Sequence, residues 1–280
     1  MYDASLRCDV AAAGLQRADG ACALSFARRG GERAALTGLY QRTPCRAMFP
    51  EPEEGDPPLA VLLTTTGGLT GGDAVAVSVA VADGAVVVSS QAAEKIYRSL
   101  GPDVTVEVEL AIGGGARLEY YPQETILFDG ARLRRRTAAH IAAGGSLAAA
   151  EMLVFGRVAR GERITRGRLF DGWQVRYDGR LVWVDRLALD RDIAGMLDDP
   201  LLFDGARAIA TAVHVGAEAA ALLPLARDLA DGAATVVNGV LIARIFGPSP
   251  GDVRVRLIGY LAGLRGAVGL PPRLPRVWHV

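Results

Sequence analysis

Cysteine and histidine are scarce in this chain of 280 residues, and each scarcity excludes a class of protein. The three cysteines (Cys8, Cys22 and Cys45) lie in the first fifth of the chain and show no Cys-x-x-Cys spacing. They predict neither a disulfide framework nor a zinc site, and they fit a reducing compartment. The three histidines are widely separated, without metal-ligand spacing, and no Gly-x-Ser-x-Gly motif of a serine hydrolase is present.

The chain also lacks any uncharged apolar run of the roughly 18 residues that a membrane helix requires. Its first residues, Met1 to Asp9, do not follow the basic-then-apolar order of a signal peptide. The 31 basic and 31 acidic residues leave no net charge, which disfavours nucleic acid and anionic membranes as partners. We therefore expect a cytoplasmic protein that binds neither.

Alternation of apolar and polar residues dominates from about residue 59 to residue 186. Every second residue of segment 74–82 is valine, and segment 104–110 repeats the pattern with Glu107 and Glu109 on the outward face. Further strands are predicted at 85–89, 116–121, 132–142, 146–155, 163–170, 173–177 and 181–186. Asp-Gly pairs at 171–172 and 178–179 are among the turn signals between them. The pattern predicts a mainly β core of sandwich, barrel or helical-sheet type.

The last third of the sequence changes character. Segment 217–230 has the pattern of an amphipathic helix, and Ser249 followed by Pro250 predicts the start of a second helix that runs to about residue 266. Between them, an Asn-Gly pair at 238–239 predicts a hairpin. Because no long linker divides the chain, we expect one domain, with a β core over about 1–215 and a mixed helical and hairpin annex over about 216–280.

Two glycine pairs and an aspartate follow a predicted strand in the segment Leu63-Thr-Thr-Thr-Gly-Gly-Leu-Thr-Gly-Gly-Asp73. Glycines at this density indicate unusual φ angles or close backbone approach. The segment does not fit a phosphate-binding loop, because Asp73 stands where a Walker motif has lysine and because a strand follows instead of a helix. A sharp β-turn is the favoured interpretation, in which Asp73 bonds the loop backbone.

Two further segments concentrate polar side chains. Segment 91–99 contains Glu94, Lys95, Tyr97 and Arg98, and a short exposed helix or turn with a Glu94–Arg98 pair is its simplest interpretation. In segment 119–130, Pro122 is expected to interrupt a strand. That interruption leaves three polar side chains near a turn: Gln123, Glu124 and Asp129.

The strand predicted to begin at Glu151 places Met152 and Val154 on one face and Glu151 with Leu153 and Phe155 on the other. Glu151 is therefore expected to point inward. A buried carboxylate must be paired, protonated or metal-bound, and Arg157 or Arg163 is the expected pairing partner. The arginines at 132, 134, 135 and 136 are interpreted as an edge or solvated face of a strand.

Taken together, five ordered segments resemble the urease accessory protein family UreD, also called UreH. The resemblance rests on 63–73, on Gln-Ala-Ala-Glu-Lys-Ile-Tyr-Arg-Ser at 91–99, on Tyr-Pro-Gln-Glu-Thr-Ile-Leu-Phe-Asp-Gly at 121–130, on Glu-Met-Leu-Val-Phe-Gly-Arg at 151–157 and on Leu-Pro-Arg-Val-Trp at 274–278. The match spans nearly the whole chain.

This resemblance implies a scaffold and metallochaperone component and not an enzyme. It implies a mostly β, helix-like sheet fold and three partners: UreF, the GTPase UreG recruited through UreF, and apo-urease. Nickel is then cargo that crosses a water-filled internal passage, and GTP is bound by the partner. No tightly bound cofactor is expected. The alternative is a hydrolase or nucleotide-binding enzyme of all-β fold.

A passage that releases its ion should use carboxylates, carbonyls and water, because a closed histidine and cysteine site would hold nickel too tightly. By resemblance, six residues are candidates for its polar lining: Asp73, Glu94, Gln123, Glu124, Asp129 and Glu151. Asp73 and Glu151 are the leading candidates, although each acid has a purely structural interpretation as well. Tyr97, Arg98 and Arg157 are expected to have orienting or interface roles.

Overall fold

β-Strands are the main secondary structure of this protein, whose computed structural model describes residues 16–31, 33–190 and 192–279. The strands are β1 (Asp19–Arg28), β2 (Ala34–Arg42), β3 (Cys45–Met48), β4 (Leu59–Thr64), β5 (Ala74–Val81), β6 (Ala85–Ser90), β7 (Glu94–Ile96), β8 (Val104–Ile112), β9 (Arg117–Tyr121), β10 (Thr125–Leu127), β11 (Arg132–Ile141), β12 (Ser146–Phe155), β13 (Arg168–Tyr177), β14 (Arg180–Asp190), β15 (Ala208–Val215), β16 (Ala234–Val237) and β17 (Val240–Gly247). The α-helices are α1 (Ile193–Asp198), α2 (Leu223–Leu229) and α3 (Pro250–Ala267). The expectations for Cys8 and the first nine residues lie outside the described residues.

The strands form two sheets that pack as a sandwich. The first sheet has the order β14-β13-β11-β8-β5-β1-β2, and the second has the order β16-β17-β15-β12-β9-β6-β4-β3 with β10 and β7 at its side. The chain alternates between the sheets, so β5, β8, β11 and β13 are parallel neighbours in the first, and β4, β6, β9 and β12 in the second. This coiled arrangement confirms the predicted mainly β fold, with its few helices in the last third.

Two apolar cores lie on the two sides of the second sheet, and strand β12 contributes to both. Leu153 and Phe155 pack into the core between the sheets, whereas Met152 and Val154 pack against α3 and the C-terminal residues. The two faces of β12 are as the alternation predicted. Glu151 shares the face of Leu153, so its carboxylate points between the sheets.

Two local signals that act through the adjacent backbone are confirmed. The Ser249 hydroxyl accepts a hydrogen bond from the Asp252 N–H at the start of α3. Asn238 and Gly239 both have positive φ angles and connect β16 to β17 as a hairpin. Each signal needs only a few neighbouring residues, so the rest of the fold does not override it.

Three local predictions are wrong because tertiary contacts decide these segments. Asp171 and Gly172 form no turn but continue β13, paired with Leu187 and Arg186 of β14. Segment 91–99 contains no helix; β7 runs from Glu94 to Ile96 and pairs with β10. The helix predicted over 217–230 is shorter, since α2 begins at Leu223.

Candidate functional site

The glycine loop is a tight turn held by Asp73. The Asp73 carboxylate accepts the Ala18 N–H at 2.8 Å and the Thr70 N–H at 2.7 Å. A Cβ added at Gly71 would overlap the backbone carbonyl oxygen of Pro102 as well as the Ser99 side chain, so the close approach in this loop requires glycine. Asp73 lies outside the lining of the cavity described below, and its nickel role stays a prediction.

A cavity of about 200 Å³ lies between the two sheets. Three of the six candidates for a polar passage line it: Glu94, Gln123 and Glu151. Other polar and thiol side chains share this wall, including Cys22, Cys45, Thr125 and Arg135. Burial raises the pKa of the Cys22 thiol, and it raises that of Cys45 to about 11. Both thiols are therefore protonated at neutral pH and are poor metal ligands in that form.

Glu151 is the most deeply buried of the three candidates in this wall and is 8% exposed. Its Oε1 accepts the Trp173 indole N–H at 2.6 Å, and its Oε2 lies 2.9 Å from Nη2 of Arg135. Burial raises the pKa of the Glu151 carboxyl above its ordinary value, whereas the Arg135 guanidinium and the Trp173 N–H, which both contact this carboxyl, favour its charged form. The inward position is as predicted, but the expected pairing partner is wrong.

Arg135 is that partner, and it also pairs with Asp171. Its Nε donates to Asp171 Oδ1 at 2.9 Å, and its Nη2 lies 2.5 Å from Asp171 Oδ2. Its Nη1 donates to the Thr125 hydroxyl at 3.2 Å. Burial opposes the charge of Arg135, but the two carboxylates raise the pKa of its guanidinium above the ordinary value. The arginine stays charged.

The arginines expected to pair with Glu151 are engaged elsewhere. Arg157 pairs with Glu162 at 2.5 Å, and Arg163 pairs with Asp198 at 2.5 Å. For the arginines at 132, 134, 135 and 136, the edge interpretation is wrong because β11 lies inside the first sheet, but one face of this strand is solvated as expected. Arg135 shares the inward face of this strand, and Arg134 and Arg136 are exposed.

A second, much smaller cavity of about 10 Å³ adjoins this cluster, a volume that suits about one water molecule. Glu151 lines both cavities. Asp171, Asp185, Thr211 and Arg244 contribute polar side chains to the smaller one. Arg244 Nη2 lies 2.5 Å from Asp185 Oδ2 and links β17 to β14. Polar side chains therefore continue from the larger cavity across the sandwich.

Glu94 and Gln123 lie elsewhere in the wall of the larger cavity. The Thr64 hydroxyl donates to Glu94 at 3.2 Å, and burial raises the pKa of the Glu94 carboxyl. The backbone N–H of Gln123 donates to the Ser90 hydroxyl at 2.8 Å, and its side-chain amide donates to the Val277 carbonyl. These two positions provide oxygen atoms beside the cavity.

Glu124 and Asp129 do not line either cavity. Glu124 pairs with Arg254 of α3 at 2.5 Å. Asp129 accepts the Thr165 N–H at 2.7 Å and the Thr165 hydroxyl at 2.9 Å. Its slight burial acts to raise the pKa of its carboxyl, but the bonds from Thr165 and Arg166 lower it below the ordinary value. Both acids join separate segments of the chain.

The three residues expected to orient or to form an interface lie near the glycine loop. Tyr97 donates its hydroxyl hydrogen bond to the Gly67 carbonyl at 2.7 Å and packs edge-on against Phe128. The Arg157 guanidinium stacks over the same Phe128 ring at 4.5 Å. Arg98 is exposed and forms an isolated β-bridge with Ala131. The orienting or interface roles of these three residues stay a prediction.

Sequence reasoning missed Arg135 and Asp171 as parts of the site. Alternation does contain a signal for Arg135, because this residue shares a strand face with Leu133 and Thr137, both of which are buried. Asp171 had no such signal, since its glycine neighbour favours a turn. Only the pairing of β11 with β13 brings the two together.

Within the described residues, no three His, Cys, Asp or Glu side chains are grouped so as to hold a metal ion. In the same part of the chain, no helix has the length and apolar character to cross a membrane.

Comparison with known proteins gives one consistent result. The family model described as UreD urease accessory protein matches residues 18–279 of this chain. The chain is 42% identical over 279 residues to urease accessory protein UreD of Magnetococcus marinus, and the aligned region covers 95% of each protein. It is 43% identical over 281 residues to urease accessory protein UreD 1 of Methylobacterium radiotolerans, which covers 96% of this chain and 94% of that relative.

Proposed function

Because the chain belongs to the UreD urease accessory protein family, we propose that it acts in urease maturation as a scaffold that passes nickel toward the urease active site. Urease accessory proteins are non-catalytic maturation factors, so the prediction that this chain is not an enzyme is confirmed. Both relatives carry the name of an accessory protein, which disfavours the alternative of a hydrolase or nucleotide-binding enzyme. Nickel is the cargo of the proposed reaction and not a resident cofactor.

The observation that carries this proposal is the position of Glu151 in the walls of both cavities. A divalent cation that enters the larger cavity meets the oxygens of Glu94 and Gln123 and the more deeply buried carboxylate of Glu151. Oxygen ligands hold nickel less tightly than a closed set of thiolates and imidazoles would, and an ion in transit must be released. Asp171 and Asp185 continue the row of carboxylates in the smaller cavity.

The partners in this proposal are UreF, the GTPase UreG through UreF, and apo-urease, in the cytoplasm. The non-catalytic family assignment supports such an assembly, because a scaffold acts by holding other proteins. The test is copurification: the full chain should isolate with UreF and UreG and should not bind or hydrolyse GTP by itself. GTP turnover by the purified chain would favour the enzyme alternative.

The passage is tested by Glu151→Gln in the full chain coexpressed with its partners. Glutamine can still accept the Trp173 hydrogen bond and fill the same volume, but it removes the charge that attracts the ion. We expect the accessory complex to assemble and the urease activated by it to contain severalfold less nickel, measured by elemental analysis.

Glu119→Gln is the matched control for this substitution. Glu119 is at least as deeply buried as Glu151 but lies outside both cavities. Its variant should yield urease with the ordinary nickel content wherever the complex assembles. Equal nickel content after Glu151→Gln and in the wild type would overturn the proposed passage.

A further inference from the structure

Arg135 lies where a cation in the proposed passage would lie. Its Nη2 atom is 2.9 Å from Glu151 Oε2 and 2.5 Å from Asp171 Oδ2, so carboxylates of two different strands converge on one nitrogen. Oxygen ligands surround a small divalent cation at about 2.0–2.6 Å. An ion that replaced Nη2 would therefore meet both carboxylates with little movement of either side chain.

We propose that Arg135 is a displaceable counter-ion, which occupies Glu151 and Asp171 while the passage is empty and prevents them from trapping the ion. This inference rests on the proposed function and adds a residue that determines how long nickel stays. Two buried carboxylates without a cation between them would bind a divalent ion firmly. With Arg135 present, the ion must compete with the guanidinium, and the returning guanidinium favours release.

The contacts of Arg135 suit a group that moves and returns. Its Nη1 hydrogen bond to the Thr125 hydroxyl holds the guanidinium at the cavity wall independently of the two carboxylates. Glu151 keeps a second partner in the Trp173 indole, so its carboxylate stays in place when the arginine withdraws. The cavity of about 200 Å³ beside Arg135 provides the space into which its side chain can move.

Arg265 offers an internal comparison. It is 1% exposed and also pairs with two carboxylates, but through different nitrogens: Nη2 contacts Asp56 at 2.8 Å and Nε contacts Glu119 at 3.2 Å. It does not line the cavity between the sheets. Substitution of Arg265 removes the same charge from a similarly buried cluster. Its two carboxylates do not converge on one nitrogen, so a single ion cannot take the place of the guanidinium.

The test is nickel binding by Arg135→Gln in the full chain, copurified with its accessory partner. Ni²⁺ alone is the probe, and its affinity is measured by equilibrium dialysis. A positive charge this close to a carboxylate changes the affinity of that carboxylate for protons by about 1–3 log units, and we expect a similar effect on its affinity for Ni²⁺. Arg135→Gln should therefore bind Ni²⁺ at least about tenfold more tightly than the wild type. Arg265→Gln should bind it as the wild type does, and Arg135→Gln with Asp171→Asn should lose the gain.

Thermal unfolding with and without Ni²⁺ covers the case in which Arg135→Gln is poorly folded. A ligand that binds the native state raises the Tm, so Ni²⁺ should stabilise Arg135→Gln more than it stabilises the wild type or Arg265→Gln. Wild-type nickel affinity in a folded Arg135→Gln would overturn the inference. So would a variant that stays unfolded with or without Ni²⁺, because Arg135 would then be purely structural.

These results separate the inference from the proposed function beneath it. If Glu151→Gln lowers the nickel content of urease while Arg135→Gln leaves nickel affinity unchanged, the passage stands and the counter-ion role falls. If Glu151→Gln has no effect on the nickel content of urease, the passage itself is refuted and the counter-ion role is refuted with it.

Discussion

Two buried arginine clusters on opposite faces of the second sheet have nearly the same charges and different surroundings. The Arg135 cluster lies between the sheets beside a cavity, and its carboxylates come from β12 and β13. The Arg265 cluster lies under α3 and joins this helix to Asp56 in a loop and to Glu119 in β9. The first cluster lies beside space into which its arginine can move, and the second connects distant parts of the chain. The function proposed for the first and the structural role expected of the second therefore rest on position and not on composition.

The largest expected effect is a loss of stability in Arg265→Gln, which tests whether the second cluster is structural. The substitution leaves Glu119 buried with only the more distant Arg117, at 3.8 Å, as a cation. Removal of one partner from a buried pair costs about 3–5 kcal/mol. Urea unfolding of the copurified chain measures this free energy. A cost below about 1 kcal/mol would contradict a structural role for Arg265.

The second test compares one buried tryptophan from each region. Trp173 donates to the Glu151 carboxylate, whereas Trp278 donates to the Ser89 hydroxyl and the Tyr121 carbonyl. Hydrogen bonds to charged groups contribute about 1.5–3 kcal/mol and neutral ones about 0.5–1.5 kcal/mol. We expect Trp173→Phe to lower the free energy of unfolding more than Trp278→Phe does.

The loss of ring volume is the same in these two variants, and the Arg254 guanidinium that lies 4.8 Å from the Trp278 ring can still stack on phenylalanine. The difference between the variants therefore reports on the hydrogen bonds together with any weakening of this contact. Unfolding by urea is again the measurement. Equal destabilisation by the two substitutions would show that the charge of Glu151 does not strengthen its bond to Trp173.

The smallest effect concerns the response of the α3 side of the sheet to acid. The contact with His214, whose Nε2 lies 3.4 Å from Glu218 Oε1, and the nearby charge of Arg117 lower the pKa of the Glu218 carboxyl to about 2, against partial burial that acts to raise it. A carboxyl whose pKa is lower in the folded state stabilises the protein at pH values above its unfolded pKa, which is near 4.5. That contribution is lost as the pH falls from about 4.5 to about 2.

Glu218→Gln removes this contribution, so the difference in urea midpoint between wild type and variant should shrink between pH 7 and pH 3. Solvent screens this partly exposed pair, so its contribution to stability is small. A difference that stays constant over this pH range would contradict the assigned ion pair.

Much of the fold could be predicted from local pattern. Alternation in 74–82 and 104–110 predicted strands and their buried faces, because successive side chains of a strand point to opposite sides. Ser249 and the Asn238-Gly239 pair predicted a helix start and a hairpin, since both act through the adjacent backbone. The inward position of Glu151 followed from the same alternation.

The partner of Glu151 could not be predicted in this way. Arg157 and Arg163 are near it in sequence, but the chain after β12 leads both away to surface carboxylates. Arg135 reaches it from the other sheet, and Asp171 joins because β13 pairs with β11 in parallel register. The Asp171-Gly172 turn signal failed for the same reason, since this ion pair and strand pairing outweigh a local turn preference.

The amino-acid sequence by itself determined the strands, the faces they bury, the turn at Asp73 and the ordered motifs that indicate the family. Those features depend on neighbours in the chain, whose geometry is set by the backbone. Only the tertiary structure decided which polar side chains share a cavity and which arginine meets which carboxylate. The physical reason is that these contacts join strands of different sheets. The way the chain alternates between the two sheets, and not its local pattern, sets which residues of these strands face each other.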